Sequence, residues 1–212
     1  MKGSSTLAKQ AWALKRAAAP RSALPALFLL TDTRRLPDPR PAVAALPPGA
    51  GVILRHYDVA DREALARDLH ALCRRKGLRL LVAGNVRLAS RIGADGVHLP
   101  EHMAGSIVGA RRIGLPLITV AAHSRAALHR AASSGADAAL LSPVFATESH
   151  PAARCLGPVR FAALARVAEL PVYALGGVNA RTAQRLTGSH AAGLAAIDGL
   201  VPGSAAGRPF SP

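Results

Sequence analysis

Residues 78–99 read Leu-Arg-Leu-Leu-Val-Ala-Gly-Asn-Val-Arg-Leu-Ala-Ser-Arg-Ile-Gly-Ala-Asp-Gly-Val-His-Leu, and this stretch decides the fold. It opens on an apolar run, Leu78–Val82, which is short, continuous and bounded by Gly77 and Gly84, the pattern of a buried strand. Asn85 has the side chain of a helix cap, Val86–Ile92 is long enough for a short helix, and Gly93 stops it. Gly96–Leu99 is then a second strand. A strand, a helix and a strand in so few residues make a parallel pair joined by a right-handed crossover.

The same unit repeats outward in both directions. Apolar runs of the same kind stand at Ala26–Leu30, Gly51–Leu54, Leu115–Val120, Ala136–Leu141, Pro171–Leu175 and Gly193–Ile197, which makes eight in all. Helical stretches fall between them. Asp58 or Asp61 caps one that carries Leu65, Leu69 and Leu72 on a shared face and ends at Gly77. Ser124 or His123 opens another that ends at Gly135, Pro158 suits the first turn of a third reaching Glu169, and Asn179 opens a fourth running to about Thr187. The five prolines between Pro37 and Pro48 imply an irregular outer connection. Eight units can close into a (β/α)8 TIM barrel in one domain. An open doubly wound sheet is the competing architecture, but it carries a glycine-rich loop after its first strand. Here that place is Thr31-Asp32-Thr33-Arg34-Arg35, so the barrel is preferred.

Bulk properties agree. At 212 residues the chain fits one domain, and 50% hydrophobic residues are enough for a sizeable core. Aromatics are 3%, so the core is aliphatic and the stacking platforms of single-strand nucleic-acid binders are missing. The net charge of +15 favours anionic partners, yet arginines such as Arg62, Arg67, Arg74, Arg75, Arg111 and Arg112 are spread along helices and read as a solvated outer face. Cys73 reads as core and Cys155 as loop, with no CxxC spacing, so reduced thiols in a reducing, cytoplasmic setting are expected. No apolar run approaches the roughly 18 residues of a membrane span. Residues 1–25 form a basic N-terminal helical extension, transit-peptide-like in composition or else a surface helix leading into the first strand. Residues 26–201 form the barrel, and 202–212 a flexible tail.

In such a barrel the chemistry collects where strands end. Gly176-Gly177, between a strand and a helix start, either lets backbone amides approach a phosphate or makes a tight turn that needs glycine. Arg55 ends the second strand and either offers a bidentate fork to phosphate or pairs with Asp32 or Asp58. His98, inside a strand, reads as a satisfied core residue, whereas His123 and His150 stand at loop positions suited to proton transfer or anion contact. Thr147 and Ser149 supply hydroxyls in the loop after strand six.

These motifs together resemble the thiamine phosphate synthase/TenI family over about Leu27 to Leu200. The resemblance rests on Leu-Leu-Thr-Asp at 29–32, Leu-Arg at 54–55, GADGVHL at 93–99 and AHS at 122–124. It rests also on GAD at 135–137, SPVFATES at 142–149 and ALGGVN at 174–179. It implies a transferase that joins hydroxymethylpyrimidine diphosphate to thiazole phosphate and releases pyrophosphate, with Mg2+ on the leaving group. It implies phosphate contacts from Arg55, Thr147 and Ser149, and from backbone at Gly176, Gly177, Ile197 and Asp198. The chain departs from the family pattern where metal ligands belong: an Asn-Asp pair is replaced by Ala83-Gly84, and Met103 takes the place of a second Asp. Asn85, Glu101 and His102 are the substitutes the sequence offers for Mg2+. Basic positions also differ, with Tyr57 and His150 where the family has lysines, and Ala121 and Asp198 where it has serines. Catalytic candidates are Arg55, His123 and His150. Two other readings stand beside the transferase: a TenI-like thiazole isomerase, and a catalytically inactive binder or regulator that keeps the phosphate site. Expected partners are small phosphorylated substrates, with no nucleic acid and no membrane; a homodimer is an open assembly.

Overall fold

The structure, a computed structural model, describes residues 2–18, 23–147, 154–197 and 200, with backbone alone for residues 2–5. Eight parallel strands pair in sequence order and close on themselves. They are β1 (Leu27–Leu30), β2 (Gly51–Leu54), β3 (Arg79–Ala83), β4 (Gly96–Leu99), β5 (Leu117–Ala122), β6 (Ala138–Leu141), β7 (Val172–Ala174) and β8 (Gly193–Ala196). The ring is closed by β1 against β8, with Leu27 opposite Leu194 and Leu29 opposite Ala196. The helices are α1 (Lys2–Ala18), α2 (Arg40–Ala44), α3 (Arg62–Lys76), α4 (Val86–Arg91), α5 (Ile107–Arg112), α6 (Arg125–Ser133) and α7 (Gly157–Val167).

Local chemistry explains the boundaries. Asp61, not Asp58, caps α3 by accepting from the Ala64 amide at 2.8 Å, and Gly77 ends it in the left-handed region at φ 64°. Asn85 caps α4 by accepting from Leu88 at 2.8 Å, and Ser124 caps α6 by accepting from Ala127 at 3.1 Å. The helix expected from Asn179 to Thr187 does not form. Asn179 Oδ1 accepts from the amides of Arg181 and Thr182, as a cap does, but only a single 3-10 turn follows at Ala183–Leu186.

That shortfall gives α1 its place. α1 packs against β8, β1 and the 183–186 turn, and Leu7, Ala11 and Leu14 form its buried stripe. Gln10 Nε2 reaches the Ala180 carbonyl at 3.1 Å, while Lys15 Nζ donates to the Leu24 carbonyl at the opposite end of the barrel. The segment is therefore part of the barrel's outer wall along one face, not only a surface lead-in to β1.

Strand side chains alternate between two cores. Leu29, Val52, Leu54, Leu80, Val82 and Val97 lie in the larger cluster under the helices. Phe28, Leu30, Ile53, Leu81, Leu140 and Tyr173 belong to the cluster inside the barrel. At the floor, Phe28 and Tyr173 meet edge to face at 5.1 Å, and a side chain at Gly51 would come within 2.3 Å of the Phe28 ring. Two rings therefore fill the floor where neighbouring strands contribute only glycine, and Ala83, Ala138 and Ala195 leave the interior lightly filled elsewhere.

One polar pair sits in this interior. His98 continues the inward series of β4, is 5% exposed, and holds Thr119 Oγ1 from Nδ1 at 2.9 Å. Burial, reinforced by the Arg55 charge, pushes its pKa down to about 3. It is the satisfied core histidine its strand position implied.

Two outcomes follow. Leu7→Ala is expected to lower unfolding free energy by about 2–4 kcal/mol in urea titration, the range for a buried leucine; a loss typical of a surface residue would mean α1 is not part of the wall. For His98 the folded pKa lies below the unfolded value, so its contribution is complete above about pH 6.5 and declines as pH falls, by up to about 1.4 kcal/mol per pH unit. Unfolding free energies of wild type and His98→Asn, compared from pH 7 to 4.5, are expected to show the flatter profile in the variant.

Candidate functional site

The rim at the strand C-termini is organised by a short relay of hydrogen bonds between β1 and β2. His56 is fully buried beneath the loop that follows β1, with Nε2 3.1 Å from the Leu36 carbonyl. A carbonyl only accepts, so Nε2 carries the proton and Nδ1 accepts from Thr31 Oγ1 at 2.8 Å. Thr31 Oγ1 in turn accepts from the Arg55 amide at 2.9 Å. The relay fixes the backbone at which Arg55 leaves β2. Arg55 follows Gly51 and Ile53 in the inward-facing series, and its charge is felt at His98.

Neither of the pairings considered for Arg55 forms. Asp32 turns to its own loop, accepting from the amides of Arg34 and Arg35 at 3.1 Å and from Arg35 Nη2 at 3.2 Å. Burial raises its pKa, but these donors and the Arg35 charge outweigh that and leave it below the usual carboxylate range. Among the described residues no carboxylate pairs with the Arg55 guanidinium.

A second cation stands next to it. Arg62 was assigned by sequence to a solvated helix face; instead it is half-buried at the rim. Its Nη2 donates to the carbonyls of Ala83 at 2.6 Å and Leu54 at 3.3 Å, the open ends of β3 and β2. Its guanidinium lies 5.1 Å from the centre of the Tyr57 ring, and its Nε is buried without a partner. The sequence did hold a signal for this. Arginine in the first turn of a helix opposes the helix dipole, so it needs a reason from outside the helix.

Next along the rim, the loops after β4 and β5 border an open hollow of about 640 Å³ lined by Pro100, Glu101, His102, Ala121, His123 and Arg130. Glu101 is fully engaged there: Oε1 pairs with Arg130 at 2.7 Å and Oε2 accepts from the His123 amide at 3.1 Å. The His123 ring meets the Ser142 carbonyl from Nδ1 at 2.9 Å, which assigns the proton to Nδ1 and leaves Nε2 for a ligand.

Gly176 and Gly177 adopt φ values of 92° and 62°. A side chain at Gly176 would come within 2.8 Å of Pro143, and one at Gly177 within 2.3 Å of the Ala146 carbonyl. The glycines are thus required by the docking of the loop after β6, where Ser142–Pro143 is a cis peptide. The Phe145 amide donates to the Gly176 carbonyl at 3.0 Å, which seats Thr147 two residues on. Ile197 follows β8 among the barrel-interior residues. Ser149, His150 and Asp198, like the tail at 202–212, lie outside the described residues.

The three residues offered for Mg2+ do not fit a metal site as arranged. Asn85 Oδ1 is taken by the α4 cap, both Glu101 oxygens are taken by Arg130 and the His123 amide, and His102 is exposed on a 3-10 turn. Among the described residues no three His, Cys, Asp or Glu side chains converge as a ligand set. No helix among them is long and apolar enough to cross a membrane.

Known proteins resemble this chain in sequence and in fold. The family model described as thiamine monophosphate synthase matches residues 27–200. The thiamine-phosphate synthase of Thiobacillus denitrificans is 40% identical over 146 residues, covering 68% of this chain and 69% of that protein. That of Chromobacterium violaceum is 34% identical over 164 residues, covering 75% and 79%. Among solved structures, thiamine phosphate pyrophosphorylase from Pyrococcus furiosus superposes with a TM-score of 0.72 at 25% identity, covering 88% of this chain and 92% of that one. By sequence model, by identity to its relatives and by fold, the chain belongs to the thiamine monophosphate synthase family.

Proposed function

We propose that this chain is a transferase that joins hydroxymethylpyrimidine diphosphate to thiazole phosphate and expels pyrophosphate. The reading rests on family membership and, among the site's features, on Arg55: an inward cation without a carboxylate partner among the described residues, held by a buried Thr31–His56 relay. In the reaction, the bond between the pyrimidine's methylene carbon and the diphosphate oxygen breaks, and its electron pair leaves with the oxygen. The thiazole nitrogen supplies the pair for the new C–N bond. Negative charge therefore grows on the departing diphosphate, and a cation already fixed in a partly desolvated rim stabilises it without reorganising.

His123, whose Nδ1 is held by the Ser142 carbonyl, offers Nε2 as a further contact to the ligand. The turn at Gly176–Gly177, with Ile197, Asp198, Thr147 and Ser149, is the place this reading gives to the thiazole phosphate. His150 is left as an anion contact in the same loop. Because Asn85, Glu101 and His102 do not fit a magnesium site, no step is routed through one.

A second reading is favoured by one observation. Glu101, a carboxylate after β4, is paired with Arg130 at 2.7 Å, which suits a phosphate-ligand binder that has given up turnover. The two readings part on product.

Purified protein incubated with both substrates, across divalent metals and from pH 6 to 9, is expected to form thiamine phosphate, read by chromatography. Absence of product in every condition, with thiazole phosphate still bound in calorimetry, would select the binder. If the transferase is right, Arg55→Gln is expected to lower kcat/KM by about 10²–10³, the cost of one lost electrostatic contact, with an unchanged circular-dichroism spectrum.

A further inference from the structure

Arg62 is not explained by helix chemistry or by any carboxylate among the described residues. Burial pushes its pKa below the ordinary arginine value, whereas Arg40, flanked by Asp38 and Asp68, is pushed up. The charge at Arg62 is thus partly desolvated and, among the described residues, met by two carbonyls and a ring face. Such an arrangement costs free energy unless something else uses the charge. Its position says what that use is. Leu54, whose carbonyl Arg62 contacts, immediately precedes Arg55, and Ala83, the other acceptor, continues the β3 register beside it. Two guanidinium groups without carboxylate partners among the described residues therefore stand at the same pair of strand ends. Tyr57, 46% exposed, backs the outer one, and Gly84 lies 3.4 Å from the ring edge when given a Cβ.

We propose that Arg62, stacked on Tyr57 and anchored to the Leu54 and Ala83 carbonyls, joins Arg55 as a second diphosphate-binding cation, so that this rim holds pyrophosphate without a divalent metal. Together the two groups carry the charge that one divalent ion would bring, and guanidinium forks suit the bidentate geometry of phosphoryl oxygens. The proposal deepens the transferase reading and rests on it for the identity of the diphosphate. It also accounts for a metal site whose substitute ligands are already committed elsewhere.

Calorimetric titration of the full chain with inorganic pyrophosphate, in excess EDTA and again with Mg2+, tests it directly. Affinity in EDTA is expected to lie within about threefold of that with Mg2+, whereas a metal-bridged site would lose far more. Arg62→Gln is expected to weaken pyrophosphate about tenfold or more while changing inorganic phosphate much less, and Arg62→Lys to recover part of the loss by restoring charge. A purely structural role for Arg62 would affect both anions alike and would not be rescued by lysine. Should Arg62→Gln fail to fold, the two wild-type titrations still decide: pyrophosphate bound only with Mg2+ overturns the proposal. Thiamine phosphate formed only with Mg2+, with no pyrophosphate bound in EDTA, would overturn the paired-arginine site and leave the transferase standing. Pyrophosphate held in EDTA with no product from the two substrates would sustain the site and remove the transferase.

Discussion

The backbone hydrogen bonds that join β8 to β1 are the constraint on which the molecule depends. A parallel sheet left open would expose two rows of unpaired amides and carbonyls; closure at Leu27–Leu194 and Leu29–Ala196 removes both edges. Closure also brings eight strand ends to a single rim. Arg55, His123, Gly177 and Ile197, far apart in the chain, share a neighbourhood for that reason alone. It also divides the apolar residues into an outer layer under the helices and an inner layer around the axis. In this aromatic-poor chain the inner layer is closed at the floor by Phe28 and Tyr173, with glycine opposite them. The filled floor and the alanine-lined interior leave function to the rim.

At the rim, charge is arranged asymmetrically. On the β4–β5 side the acid is cancelled, since Glu101 is held by Arg130 and the His123 amide. On the β2–β3 side the bases are not cancelled: Arg55 and Arg62 make no ion pair among the described residues. Several other arginines behave differently. Arg40 with Asp38 and Asp68, Arg67 and Arg91 with Glu63, and Arg111 with Asp137 are surface pairs worth little to stability. The net charge of +15 is therefore misleading as a total. What matters for an anion is the small fraction of it that is desolvated and unpaired at one place.

The outer wall shows how a local failure is repaired from a distance. Behind the Asn179 turn only a short 3-10 turn, Ala183–Leu186, forms before β8. α1, from the start of the chain, lays Leu7, Ala11 and Leu14 against β8 and β1 and keeps that face of the barrel dry. A basic, alanine-rich segment thus belongs to the wall, although its composition alone also fitted a targeting segment.

The amino-acid sequence by itself determined the eight strands, their parallel sense and the caps at Asn85 and Gly77, because periodicity, capping and turn chemistry act over a few residues. It also placed Arg55 on the inward side of β2 and His98 in the core, since alternation along a strand is local too. It left open whether Asp58 or Asp61 caps α3, and whether the glycines at 176–177 serve a ligand or a turn. It misplaced Arg62 on solvent and offered Glu101 as a metal ligand. Apart from the α3 cap, those questions turn on contacts between residues tens of positions apart: Arg62 with the Ala83 carbonyl, Glu101 with Arg130, Gly177 with Ala146. Only the closed tertiary structure brings such partners within a few ångströms. A side chain's charge becomes chemistry only when its neighbours decide whether it is paired, buried or free.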